Sequence, residues 1–128
     1  MSGRSPRIKG NGFEREVVSC LQEYGLAAER VPLSGAAGGS YVADFTCPVL
    51  SRDRRFEAKR RASGFKSLYG WLGDNFGLVV RDDRKGALVI LRLEDFARLV
   101  QAAENLKKAE ADEYFQRQRA AFYEKGTT

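Results

Sequence analysis

The spacing of the apolar residues changes along the chain, and this change restricts the fold to one that contains both helices and strands. Near the start, Phe13, Val17 and Leu21 recur at helical intervals, and Gly25 ends the pattern as a helix C-cap does. The middle of the chain instead alternates short apolar runs with polar turns. The segment 94–125 contains neither Gly nor Pro and returns to helical spacing. This order predicts one layered domain, either α/β or α+β.

Turn-forming residues divide the middle of the chain into five predicted strands and one short helix. A turn near Ser51 joins the second and third strands into a hairpin, and the polar segment 82–86 joins the last two. The segment 34–40, SGAAGGS, has the composition of a loop. The predicted strands are 27–31, 41–47, 55–60, 77–81 and 87–91, and the predicted short helix is 65–72.

Length and composition predict a soluble domain in a reducing compartment. The chain has 128 residues, of which 43% are hydrophobic and 30% charged, as in ordinary globular proteins. No run approaches the roughly 18 apolar residues of a membrane helix, and the N-terminus lacks the apolar core of a signal peptide. Cys20 and Cys47 are too few for a disulfide scaffold and lack zinc-site spacing. We therefore expect buried thiols, a cytoplasmic location in a prokaryotic or phage-infected cell, and no membrane partner.

The chain contains no histidine, and this absence excludes several kinds of chemistry. A Ser-His-Asp or Cys-His pair, a histidine general base and a His-ligated zinc are all impossible. Any bound metal must be held by carboxylate and carbonyl oxygens, a ligand set that suits Mg²⁺, with Mn²⁺ as a substitute. Nothing in the sequence indicates an organic cofactor.

The net charge of +5 is concentrated in one segment. Seven Lys or Arg residues accompany only two acids between Arg52 and Lys66, whereas six cations and seven acids lie in 94–125. A concentrated basic patch favours nucleic acid, because cationic side chains displace the counterions of phosphates. A solvated basic face is the alternative, since charge runs of this kind are common on surfaces.

The sequence RRFEAKRR, residues 54–61, places one acid among five cations. In a strand, Glu57 and Lys59 point to the same side, and a hairpin that turns near Ser51 can bring Asp44 opposite Glu57. Glu14 lies beside the apolar stripe of the first helix and should point toward the sheet. Converging carboxylates and a lysine are what metal-assisted phosphodiester hydrolysis requires.

Each of these acids also has a simpler interpretation. Glu57 could be a surface acid that pairs with neighbouring arginines, and Asp44 could end a strand on a solvated face. Glu14 could stabilise a helix N-terminus through the helix dipole. The apolar neighbours of Asp44 argue against its simple interpretation, because an unpaired aspartate is costly in such surroundings.

These residues carry a resemblance to a known nuclease superfamily. Asp44 followed by Glu57-Ala58-Lys59 resembles the PD-(D/E)XK signature, with Ala43 in the place of the proline. The segment 9–35 is similar to the opening of archaeal-type Holliday junction resolvases, and the resemblance extends over about residues 7–61. The matching positions in that opening are Lys9-Gly10, Glu14-Arg15-Glu16, Gly25, Arg30 and Ser34-Gly35.

The resemblance implies a restriction-endonuclease-like core, in which helices flank a mixed central β-sheet, with a long C-terminal helix added. The nuclease core would be 12–93. Composition adds a flexible basic N-terminal arm at 1–11, and helical spacing adds a C-terminal helical extension at 94–128, which is longer than the family's usual ending. The implied activity is a Mg²⁺-dependent endonuclease that resolves four-way DNA junctions by paired symmetric nicks. Such enzymes are homodimers in which each protomer supplies one active site.

The resemblance also implies roles for individual residues, and the basic segment adds others. Asp44 and Glu57 would be the main metal ligands, with Glu14 as a third. The catalytic set implied is Glu14, Asp44, Glu57, Lys59 and Ser34, and the expected DNA contacts are Arg7, Lys9, Arg15, Arg30, Arg55, Arg60, Arg61 and Lys66.

Beyond Arg61 the resemblance fades, so other functions stay open. One is a PD-(D/E)XK nuclease that cuts flaps, nicks or linear duplex, and another is a basic DNA-binding protein without catalysis. Tyr69 and Trp71 could stack on bases, but their apolar neighbours favour a place in the core or an interface. The helical stripe of Phe96, Leu99, Val100, Ala103 and Leu106 predicts core or dimer contacts, and Phe115, Phe122 and Tyr123 suggest a partner surface.

Overall fold

The computed structural model describes residues 6–31 and 44–126, with the side chains of 12–31 and 44–124. Over these ranges, three helices and five short strands follow one another in the order that the apolar spacing predicted. Their bounds are α1 Pro6–Glu23, β1 Glu29–Arg30, β2 Phe45–Val49, β3 Arg52–Phe56, α2 Lys66–Leu72, β4 Gly77–Val80, β5 Leu88–Leu91 and α3 Leu93–Gly126.

Helix α1 starts earlier than the sequence predicted. The segment up to Asn11 was expected to be a flexible arm, but the helix already begins at Pro6, a residue suited to the first helical turn. The helix ends as predicted, because Gly25 adopts a left-handed conformation with φ of 81° and its N–H bonds to the carbonyl of Gln22. The prediction of the helix was therefore right about its end and wrong about its beginning.

The strands form two separate antiparallel sheets within the described residues. One has the order β1-β2-β3 and the other is the hairpin β4-β5. The mixed central sheet expected from the resemblance is not present in this part of the chain, because each strand pairs only with its neighbour along the chain. The mixed helix-and-strand class and the two hairpins are confirmed, whereas the described residues do not show the central sheet that the resemblance implied.

The β2–β3 hairpin turns at Leu50 and Ser51, as predicted. Both residues have positive φ, 55° and 68°, which matches the twist that a two-residue hairpin turn requires. The paired strands run from Phe45 opposite Phe56 to Val49 opposite Arg52. Predicted strands 41–47 and 55–60 are thus displaced toward the turn, and residues 41–43 of the first lie outside the described residues.

The core lies between α1, the first sheet and the N-terminal half of α3. Phe45 stacks on Phe56 with ring centroids 5.1 Å apart, and the edge of Phe56 meets Phe96 of α3 at 5.9 Å. Gln101 of α3 donates to the carbonyl of Tyr24, which fastens α3 to the end of α1. The buried residues of this core are Val17, Val18, Leu21, Leu26, Ala28, Phe45, Cys47, Ala97 and Val100.

Helix α3 is core-forming in its first half and exposed in its second. Ala97 and Val100 are buried, Phe96 and Ala103 are half-buried, and every described side chain from 108 to 124 is exposed. Of the predicted stripe, Val100 is therefore buried in the core, and Phe96 and Ala103 are partly buried there. Leu99 and Leu106, which belong to the same predicted stripe, are exposed instead.

The two cysteines are free thiols, as expected, but only Cys47 is fully buried. Burial raises the pKa of the Cys47 thiol, with smaller contributions from the charges of Asp53 and Glu104. Burial likewise raises the pKa of the half-buried Cys20 thiol. None of the helices in the described part of the chain is both long and apolar enough to cross a bilayer.

The core predicts a contrast between two leucine-to-alanine substitutions. Leu21 has no exposed surface, so Leu21→Ala should leave a cavity and lower the free energy of unfolding by about 2–5 kcal/mol. Leu99→Ala is the matched control, because Leu99 is half exposed, and should cost at most about 1 kcal/mol. Urea denaturation followed by circular dichroism measures both. Equal losses in the two variants would contradict the core described above.

Candidate functional site

Asp44 immediately precedes β2 and is tied to both residues that flank Glu57. Its backbone N–H donates to the carbonyl of Phe56 at 2.9 Å, and its Oδ2 accepts the N–H of Ala58 at 2.7 Å. Phe45, the first residue of β2, is paired with Phe56, so Asp44 and Phe45 both lie beside Phe56. The carboxylate of Asp44 is thereby fixed beside the segment 56–58.

Glu57 and Lys59 follow directly after β3, not within it as the sequence predicted. Their side chains nevertheless come together, with Lys59 Nζ 3.2 Å from Glu57 Oε1. Both side chains are more than half exposed, so this ion pair contributes little to stability and both groups are open to a ligand. Asp44, Glu57 and Lys59 thus lie at the open end of the β2–β3 hairpin.

Glu14 points toward the sheet, as expected, but it is paired with an arginine of β1. Arg30 Nε and Nη2 both donate to Glu14 Oε2 at 3.4 Å, and the side chains are only 28% and 16% exposed for Arg30 and Glu14. Among the described residues, no group of three or more acids, cysteines or histidines could hold a metal. Arg30, expected at DNA, is engaged inside the protein, and Glu14 is not gathered with Asp44 and Glu57 into a three-acid site.

The basic segment after β3 lines an open groove of about 550 Å³, here called the cationic groove. Arg61 lies over the ring of Phe65 at 5.8 Å, and Gly64 permits this approach with a φ of 120°. A Cβ at Gly64 would contact the Arg61 side chain at 3.4 Å. The groove is lined by Phe13, Glu16, Lys59, Arg60, Arg61, Ala62, Ser63, Gly64, Phe65, Lys66 and Tyr69.

Lys59 connects the cationic groove to the acidic end of the hairpin. It also lines a second groove of about 660 Å³ that contains Glu57, together with apolar residues of α1, β5 and α3. Lys59 and Phe13 line both grooves. The groove that contains Glu57 therefore adjoins, at Lys59, the groove that Arg60, Arg61 and Lys66 line.

The other predicted site residues are dispersed. Arg15 on α1 and Arg55 on β3 are exposed and lie outside the cationic groove, whereas Lys66 at the start of α2 lines it. The side chains of Arg7 and Lys9 are outside the described residues, although both residues belong to α1. Ser34 also lies outside the described residues.

Three aromatic residues that line the cationic groove were not among the predicted site residues: Phe13, Phe65 and Tyr69. Phe13 was assigned to the helical stripe only, yet it lines the cationic groove. Tyr69 and Trp71 were expected in the core or an interface, but they are 76% and 61% exposed, and Tyr69 lines the groove. Helix α2 has only seven residues, too few for a periodic apolar pattern to reveal which side faces outward.

Exposed cations around a carboxylate-and-lysine cluster are typical of proteins that act on nucleic-acid phosphates. A family model described as archaeal Holliday junction resolvase (Hjc) matches residues 5–121, nearly the whole chain. The chain belongs to this family. Searches of curated proteins and of solved structures found no match.

Family membership defines the general activity and extends the similarity well beyond the first half of the chain. The family consists of junction-resolving endonucleases, hydrolases that act on branched DNA. The match includes α2, the β4–β5 hairpin and most of α3, where sequence reasoning alone found no alignment.

The Glu14–Arg30 pair predicts a non-additive pair of substitutions. Arg30→Gln leaves a largely buried carboxylate without its partner, so it should lower the free energy of unfolding by about 1–3 kcal/mol. Adding Glu14→Gln should recover part of that loss, because two amides can bond to each other. Thermal unfolding of both single variants and the double variant measures the coupling. Strictly additive losses would contradict the pairing.

Proposed function

We propose that this protein is a Mg²⁺-dependent endonuclease that resolves four-way DNA junctions by nicking two symmetric strands. One observation carries the proposal. The Asp44 carboxylate accepts a hydrogen bond from Ala58, the residue between Glu57 and Lys59, and Lys59 pairs with Glu57 and lines the cationic groove. Family membership supplies the class of substrate, and this geometry supplies a place for the chemistry. The proposed setting is the DNA of a prokaryotic or phage-infected cell.

The residues at the hairpin end fit a magnesium ion. Mg²⁺ prefers oxygen ligands and is commonly held by one or two carboxylates, with waters and substrate phosphates in the other positions. Asp44 and Glu57 supply two carboxylates, and the bond from Ala58 to one Asp44 oxygen leaves the other available. When bound, the ion would lower the pKa of a coordinated water and stabilise charge on the phosphate. Mn²⁺ prefers similar ligands.

The protein's own groups would orient the scissile phosphate. The Lys59 ammonium, which pairs with Glu57 in the free protein, is placed to neutralise charge on the phosphate or to orient the attacking water. Arg60, Arg61 and Lys66 would hold neighbouring phosphates along the cationic groove. Glu14 could join the metal site only after its bonds to Arg30 break, so its proposed role as a ligand requires a local rearrangement.

Two isosteric substitutions test the proposed site. Asp44→Asn and Glu57→Gln should reduce junction cleavage by at least about 100-fold, because each removes a charged oxygen ligand. Junction binding in EDTA should be retained, since the cationic groove is intact. Asp53→Asn, an exposed acid on the same hairpin, is the matched control and should cleave normally. Full cleavage by either site variant would remove the metal-site assignment.

A second experiment incubates the wild-type protein with a panel of labelled DNAs, once with Mg²⁺ and once with EDTA. Paired nicks in the four-way junction that disappear in EDTA would support the proposal. Cleavage of a flap, nicked or linear duplex instead would favour a nuclease of different substrate. Binding without cleavage of any DNA would favour a non-catalytic DNA-binding protein.

We also propose that the protein acts as a homodimer held in part by the second half of α3. About 18 residues make five full helical turns, so Tyr114 and Phe115 lie on the same side of α3 as Phe96 and Ala97, which face the core. Phe122 continues this side, and all three distal aromatics are exposed. A two-fold junction calls for two symmetric cuts, which a two-fold dimer supplies.

The dimer proposal predicts that a carboxylate introduced on the side of α3 that carries Phe115 and Phe122 weakens the dimer, whereas one introduced on another side of the helix does not. Phe115→Glu should shift the protein toward a monomer, because a carboxylate cannot be buried cheaply in an apolar contact. Ala120→Glu is the matched control, since this exposed residue lies about 140–160° away from the side shared by Phe115 and Phe122. Sedimentation equilibrium measures the oligomeric state. A dimer unchanged by Phe115→Glu would place the contact elsewhere.

A further inference from the structure

We infer that Tyr69 stacks on an unpaired nucleobase at the branch point, and that this contact helps the protein distinguish junctions from linear duplex. The inference rests on the proposed function, because it assumes that branched DNA occupies the cationic groove. It adds a residue and a contact that the carboxylate site does not require.

Tyr69 stands where two grooves meet. It lines the cationic groove and also a neighbouring groove of about 410 Å³, here called the apolar groove. The ring is 76% exposed, and its backbone is fixed because it bonds to Phe65 at one end of α2 and to Gly73 at the other. An exposed aromatic ring on an anchored backbone can contact a base without ordering a loop first.

The cationic groove gives the DNA backbone its position. Arg60, Arg61 and Lys66 line it, and Arg61 is held against the ring of Phe65. Cationic side chains that hold phosphates next to exposed aromatics are the combination that single-stranded nucleic-acid binding uses. A strand in this groove would therefore present its bases to the side on which Tyr69 lies.

An unstacked base could bind in the apolar groove. Its lining contains one charged residue, Arg92, and is otherwise aliphatic and aromatic. Beside Tyr69 it consists of Phe65, Leu68, Leu72, Ile90, Leu91, Arg92 and Leu93. Phe65 and Tyr69 line both grooves, which makes the apolar groove continuous with the cationic one. The occupant that fits both chemistries is a nucleobase that is still attached to phosphates in the cationic groove.

Branch geometry explains why such a contact would be selective. In a linear duplex each base is paired and stacked on both faces, so exposing one costs a few kcal/mol. At a branch point the continuous stack is interrupted and the cost is smaller. A stacking residue therefore adds affinity for the junction but little affinity for the duplex, whereas phosphate contacts add to both.

The test measures affinity in EDTA, so that it does not depend on cleavage. The DNAs are a four-way junction and a linear duplex with the same arm sequence. Tyr69→Ala should weaken junction binding about tenfold and change duplex binding less than about twofold, because a lost base stack is felt only at the branch. Tyr69→Phe keeps the ring and should bind both DNAs like the wild type.

Two control variants separate stacking from general effects. Lys66→Ala should weaken both DNAs to a similar degree and lower the slope of log affinity against log salt by about one. Phe76→Ala removes an exposed aromatic residue that lines neither groove and should change neither affinity. Circular dichroism confirms that each variant is folded before its binding is compared.

A photochemical experiment locates the contact directly. 5-Iodouracil placed at the branch point and irradiated should cross-link to the peptide that contains Tyr69, whereas the same base in the middle of an arm should not. Equal losses for junction and duplex in Tyr69→Ala, no loss, or a cross-link elsewhere would overturn the inference. A selective loss in a protein that cleaves no DNA would refute the proposed nuclease while leaving the stacking contact intact.

Discussion

The hydrogen bond from the Ala58 N–H to the Asp44 carboxylate is the contact on which the site depends. It holds Asp44, just before β2, against Ala58, just after β3. The charged side chains of Asp44, Glu57 and Lys59 therefore lie at the same end of the hairpin. The hairpin that makes this bond possible is closed by Leu50 and Ser51 and anchored by the stacked rings of Phe45 and Phe56. The geometry of the site is therefore inherited from the core beneath it.

Acidic and basic side chains lie next to each other around this bond, an arrangement that suits a negatively charged substrate. Acids alone would repel DNA, and cations alone would bind it without placing a metal. Here Lys59 both pairs with Glu57 and lines the cationic groove, so the acidic and the basic parts of the site adjoin at this residue. The third acid, Glu14, is paired with Arg30 of β1, so its charge is compensated within the protein.

Features that depend on residues close together in the sequence could be predicted, whereas features that depend on tertiary contacts could not. Helices α2 and α3 and both hairpins were predicted to within a few residues, because spacing, Gly and polar turns act over short distances. The start of α1 was missed because a Gly-rich and Arg-rich composition suggested an arm, whereas Pro6 begins a helix. The sequence suggested that Asp44 approaches Glu57, but its hydrogen bonds to Phe56 and Ala58 could not be predicted, since both depend on strand register. The pairing of Glu14 with Arg30 and the exposure of Tyr69 are tertiary facts that no spacing encodes.

The length of α3 has a consequence for the dynamics of the chain. Its 34 residues extend about 50 Å, but core packing is confined to the first half. Beyond that half, ion pairs such as Glu113–Arg117 and intrinsic helix propensity provide the support that the structure shows, and an isolated helical segment of this length is marginal in water. Amide hydrogens should therefore exchange with solvent slowly near Val100 and progressively faster toward the C-terminus of the helix, until a contact with another molecule slows that exchange.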